Sequence, residues 1–214
     1  AFMYISAIHN PIGHNGFKFG LDIGGVLDGA QSARLIALFT QKCAAAHQDT
    51  AAVLRTQVDP AQVQAVFEAE ATHKQTALTA YQRFLQEVIA DSKDAAEQAR
   101  FFDGIRAQCA ALSAAGKPFT LVADFNGSAR AASVDRAFFE KLGMQLVGIA
   151  ENAGNIVHGI IPEGKNLATC AAKIEALHRS NPAQAENTLF GYMPDCDGDR
   201  GNIIYWDEAQ QKAL

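Results

Sequence analysis

Apolar residues recur at helical spacing through the first half of the chain, whereas short buried-strand runs alternate with helical stretches after residue 117. Residues 2–8 are apolar and β-rich, residues 9–16 are dense in turn formers, and residues 17–21 return as a second short strand. Asp28-Gly29 breaks the chain ahead of a helix over 30–47, with Leu35, Ile36, Leu38 and Phe39 on its apolar side. Asp59-Pro60 opens a long helical region. Its apolar stripe runs through Val63, Val66 and Phe67 and resumes at Leu78, Tyr81, Leu85 and Ile89. A further helix spans 95–115, ended by Gly116 with Pro118 just beyond.

From Lys117 the pattern predicts a strand at 119–123, a turn at 124–128 and a helix over 129–142. Strands follow at 144–149 and 156–161, a helix at 166–179, and strands at 189–193 and 203–206. This alternation implies an α/β fold, with a mixed, mostly parallel sheet layered between helices and a long helical connector before it. His73 and His178 fall on helices as surface residues. Sites in such sheets lie at the carboxyl ends of strands, and the loops at 124–128 and 195–200 qualify. For the first, the simpler reading is a turn in which Ser128 caps the next helix.

Composition narrows the classes. A net charge of −5 leaves no electrostatic case for nucleic acid or an anionic membrane. No apolar run reaches the roughly 18 residues of a membrane span. The cysteines, Cys43, Cys109, Cys170 and Cys196, are widely spaced and form no C-x-x-C, as expected of reduced thiols in a cytoplasmic protein. The chain opens inside a strand-like run, AFMYISAI, which reads as a piece of a longer polypeptide.

The second loop, PDCDGDRG, places Asp195, Asp197 and Asp199 on alternate positions, followed by Arg200. Hard divalent cations such as Mg²⁺ take oxygen ligands, and alternating carboxylates in a tight loop can converge on one ion. Three such charges are costly together unless a cation or an arginine offsets them. A solvated acidic turn is the plainer alternative. An EF-hand fails on position: Arg200 stands where glycine is expected and Trp206 where glutamate is needed. The first turn-rich loop adds His9, Asn10, Asn15 and Lys18, hydrogen-bonding and basic groups between two strands.

Together, S-A-I-H-N-P…N-G-F-K at 6–18 and D-C-D-G-D-R at 195–200 resemble the α-D-phosphohexomutases, the phosphoglucomutase and phosphomannomutase family. Their active-site loop reads T-A-S-H-N-P…N-G-x-K and their metal loop D-G-D-x-D-R. D-F-N-G at 124–127 and P-E-G-K-N-L at 162–167 also resemble the family's second domain. The resemblance implies that residues 1–50 end a first domain carrying the active-site loop. Residues 51–115 would be a helical connector and 116–214 a second domain ending in the metal loop. A third and a fourth domain of the parent chain would be missing.

The implied activity is Mg²⁺-dependent phosphate transfer on a hexose phosphate, with a hexose 1,6-bisphosphate as activator. Asp195, Asp197 and Asp199 would hold the ion, and Arg200 would add positive charge beside the transferring group. Lys18 matches a lysine placed for proton transfer or charge stabilisation. His9 matches a residue shaping the loop around the nucleophile, while Asn10 and Asn15 would face substrate. Where the family carries its phosphorylated serine, this chain has Ile8. Ser6 stands two residues back, about 6–7 Å away at strand rise. Three readings follow: a mutase, a mutase homologue that binds metal and phosphosugar without turnover, and a structural α/β domain with a calcium-tolerant acidic loop.

Overall fold

A computed structural model of the chain describes residues 1–6, 13–45, 50–181, 185–188 and 190–214. They form two compact units, Ala1–Ala77 and Leu78–Leu214. In the first, β1 (Phe2–Ser6) pairs antiparallel with β2 (Gly16–Gly20), in a register running from Phe2 opposite Gly20 to Ser6 opposite Gly16. The last two residues of the predicted first strand, Ala7 and Ile8, lie outside the described residues, as do His9 and Asn10. Helix α1 (Gly29–Ala45) starts at a reciprocal cap. Asp28 Oδ1 accepts from the Gln31 amide at 2.8 Å, and Gln31 Oε1 accepts from the Asp28 amide at 3.1 Å. Met3, Phe17, Phe19, Leu27, Ile36 and Phe39 help to line an apolar cleft of about 430 Å³ between this helix and the ribbon.

A short helix α2 (Thr50–Thr56) precedes α3 (Pro60–Ala90). Pro60 takes the first turn, where a missing N–H costs nothing, and Asp59 accepts from the Ala61 amide at 2.9 Å. The boundary between the two units falls inside this helix. Asp91, in the left-handed conformation at φ 49°, closes it. Asp94 then caps α4 (Ala95–Ala114), accepting from the Ala96 and Glu97 amides at 2.9 Å each.

The second unit is built on β3 (Thr120–Asp124), buried along its whole length. The predicted helix over 129–142 is broken. A 3-10 turn at Ala129–Ala132 is capped by Ser128, Ser133 is extended, and α5 (Asp135–Lys141) starts afresh. The break lets Asp135 turn back onto Arg130, an ion pair that one continuous helix would not form at this spacing. Next come β4 (Gln145–Ile149), α6 (Ala168–Ser180) and β5 (Phe190–Pro194). Residues 156–161 are irregular, not the predicted strand. The chain ends in β6 (Gly201–Asp207) and the two-residue β7 (Lys212–Ala213).

Strand order is β4-β3-β5-β6-β7. The sheet is mixed. The pairings of β3 with β4 and β5 are parallel, but β6 is antiparallel to both β5 and β7, so parallel pairs are no majority. The reason is local: only six residues join β5 to β6, enough for a hairpin and too few for a parallel crossover. The sheet does lie between helices. On one face Val122, Ile204, Cys170 and Ile174 pack α6 against β3 and β6. On the other, Phe139 of α5 meets Tyr192 of β5 with ring centres 6.0 Å apart, and Phe102 brings α4 against Phe138. His178 departs from the expected surface position: it is half-buried, stacked on Trp206 at 3.7 Å with Nε2 2.8 Å from the Thr188 carbonyl. No helix among the described residues is long and apolar enough to cross a membrane.

Close packing of α6 depends on Gly191, where a Cβ would lie 2.7 Å from Cys170 Sγ and 2.9 Å from the Val122 carbonyl oxygen. Ile174→Ala is expected to cost about 2–5 kcal/mol through the cavity it leaves. Gly191→Ala is expected to cost about 1–3 kcal/mol through overpacking. Urea denaturation at an unchanged slope checks both.

Candidate metal centre

The acidic loop is the tip of the β5–β6 hairpin, next to the carboxyl end of β3, so both loops marked by sequence lie at one edge of the parallel strands. The Asp195 amide donates to the Arg200 carbonyl at 2.9 Å, closing the loop where Pro194 faces Gly201. Gly198 supplies the positive φ (75°) that the turn needs. Asp195, 3% exposed, turns its carboxylate inward: Oδ1 accepts from the Gly198 amide at 2.9 Å and the Arg200 amide at 3.3 Å. Arg200 Nε donates to Oδ2 at 3.1 Å. Asp197 is half-buried and Asp199 exposed. Each of the three carboxylates offers an oxygen within 4.8 Å of the others.

That spacing matches oxygens on one hard cation, whose ligands at about 2.0–2.6 Å lie at most about twice that distance apart. Burial opposes the Asp195 charge, but hydrogen bonds from Arg200, Asp199 and Gly198 outweigh it and hold the carboxyl below its ordinary value. Asp199 goes the other way: its hydrogen bond to Asp195, then the Asp197 charge, raise its carboxyl. Burial, followed by the charges of Asp195 and Asp197, pushes the Cys196 thiol up. The converging donor atoms are carboxylate oxygens alone, a set suited to a hard cation such as Mg²⁺, Ca²⁺ or Mn²⁺. Arg200 also reaches Asp199 at 3.9 Å and Glu163 at 3.8 Å, so one arginine is shared among several carboxylates.

Sequence reasoning missed the support beside the hairpin. Asp124, fully buried at the end of β3, accepts from the Asn126 amide at 3.0 Å through Oδ1. Its Oδ2 lies 2.8 Å from His158 Nε2, and His158 Nδ1 lies 2.9 Å from the Gly159 carbonyl. Both imidazole nitrogens thus lie within hydrogen-bonding distance of an oxygen, which fixes the ring between the strand end and the following loop. Asn126, at φ 59° and 1% exposed, donates Nδ2 to the Ile160 carbonyl at 2.5 Å and lies 4.0 Å from Cys196 Sγ. The D-F-N-G run was the available signal: an aspartate ending a buried strand is costly unless it has a partner.

Of the other predicted site residues, Asn15 and Lys18 belong to the first unit. Asn15 is exposed ahead of β2. Lys18 stands on β2 opposite Tyr4, its Nζ 5.8 Å from the ring centre. Ser6 is buried at the end of β1. No family model matches the chain, and no curated protein matches it.

Removing His158 leaves the buried Asp124 side chain without one of its hydrogen bonds. His158→Ala is therefore expected to cost about 1–3 kcal/mol. The double variant with Asp124→Ala should cost less than the sum of the singles. Urea denaturation of the three variants checks this, and simple additivity would show that the two side chains do not support one another.

Proposed function

We propose that this chain carries the metal-binding domain of an α-D-phosphohexomutase-like protein, with the first unit carrying that family's active-site loop. The observation that carries the reading is the convergence of Asp195, Asp197 and Asp199 with Arg200 on a hairpin tip at the carboxyl end of parallel strands. The activity is phosphate transfer between positions of a hexose phosphate, assisted by a hexose 1,6-bisphosphate, in a cytoplasmic protein that also uses a third and a fourth domain.

Asp195, Asp197 and Asp199 would hold Mg²⁺, and the bound ion would supply Lewis-acid polarisation of phosphoryl oxygens. The chain's own residues divide the remaining work. Asp195 is fixed by two backbone amides and Arg200, so it presents its carboxylate without reorganisation. Arg200 is 42% exposed, which leaves its guanidinium accessible to a phosphate. Lys18 is the group for proton transfer or charge stabilisation, and His9, Asn10 and Asn15 shape the loop and hold the substrate. The phosphohexomutase-like arrangement of the sheet belongs to the same proposal.

Ile8 favours a second reading, a homologue that binds metal and phosphosugar without turnover. Isoleucine has no nucleophile, and Ser6 is buried. Calorimetric titration tests the binding that both readings share. Mg²⁺ should bind more tightly in the presence of hexose 1,6-bisphosphate, and Asp197→Asn should weaken it by about tenfold or more. Equal Mg²⁺ and Ca²⁺ responses, indifferent to the bisphosphate, would point to a structural acidic loop. Intact mass of the parent protein after incubation with the bisphosphate separates the two readings. Phosphate on Ile8→Ser alone establishes the binding protein, and phosphate on the unaltered chain establishes the enzyme.

A further inference from the structure

Arg130 lies between the helical layer and the acidic hairpin. Its Nη1 donates to Tyr81 Oη at 2.9 Å, its Nη2 pairs with Asp135, and its own amide donates to Ser128 Oγ at 3.2 Å. Its side chain is only 18% exposed. The remaining edge of the side chain runs along the hairpin. A Cβ placed on Gly198 would lie 2.8 Å from Arg130 Cδ, 3.1 Å from Nε and 3.2 Å from Nη1. The amide of that same glycine donates to Asp195 Oδ1. Arg130 Nε, Asp135 Oδ2 and Tyr192 Oη are buried with no protein partner, places that ordered water commonly fills.

We propose that Arg130 is a positioning residue for the acidic hairpin: held by Tyr81 and Asp135, it fixes Gly198, and through the Gly198 amide it orients the Asp195 carboxylate. This rests on the metal-binding reading above for its consequence, not for its geometry. The arginine charge is already balanced by Asp135, so its role is placement rather than attraction. Side chains that act through a ligand typically change metal affinity about 10–100-fold when removed.

The test uses the full chain, metal-free and then with Mg²⁺ alone, comparing wild type, Arg130→Met, Arg130→Lys and Tyr81→Phe. Amide hydrogen exchange at Gly198 should accelerate about tenfold in Arg130→Met, with the β3 amides unchanged. Arg130→Lys should restore little, because one ammonium cannot span Tyr81, Asp135 and the glycine. Tyr81→Phe keeps the ring and should give a smaller change in the same direction. Mg²⁺ affinity should fall in the same order, by roughly tenfold or more in Arg130→Met. Unchanged Gly198 exchange in folded Arg130→Met overturns the proposal. If that variant does not fold, unchanged Gly198 exchange in Tyr81→Phe overturns it equally. A wild type that binds no Mg²⁺ sinks the metal reading, while Gly198 exchange still decides the role of Arg130.

Discussion

Bringing three carboxylates within a few ångströms of one another is unfavourable, and the hairpin tip at residues 195–200 is where this chain meets that cost. Part of the compensation is internal. Asp195 is buried, yet it keeps its charge because two backbone amides and the Arg200 guanidinium converge on it. That compensation exists only while the β5–β6 hairpin is closed by the Asp195–Arg200 backbone bond, so loop closure and carboxylate placement form a single constraint. What it leaves over is repulsion at the rim of the loop, where the hydrogen bond to Asp195 and then the Asp197 charge raise the Asp199 carboxyl.

The neighbouring strand end serves the same tip. Asp124 and His158 fix the irregular segment at 156–161 beneath it, and Asn126 ties that segment to the region of Cys196. The parallel strands bring these loops to one edge, and the six-residue hairpin sends β6 back antiparallel. The mixed sheet is therefore a consequence of how the acidic loop is built. The second unit is organised around its core of Val122, Cys170, Ile174 and Ile204, which keeps the ends of β3 and β5 in register.

Much of this was legible in the sequence where the determinants are local. The alternate aspartates before Arg200 mark the acidic hairpin tip, and Asp59-Pro60 marks a helix start by short-range chemistry. Determinants that join distant residues were not legible. His158 sits in a stretch with strand-like composition, and its partner is 34 residues away. His178 reads as a helix surface residue until Trp206 is folded beneath it. The break at Ser133 is invisible to helical periodicity, because the gain from pairing Arg130 with Asp135 is tertiary.

The central proposal is a hard cation held at the hairpin tip. The most direct measurement is anomalous scattering from crystals of the chain grown with Mn²⁺, a spectroscopic and crystallographic stand-in for Mg²⁺. A single strong peak bounded by oxygens of Asp195, Asp197 and Asp199 is expected. A tip left without a peak while Mn²⁺ sits elsewhere, or a peak that excludes Asp195, would contradict it.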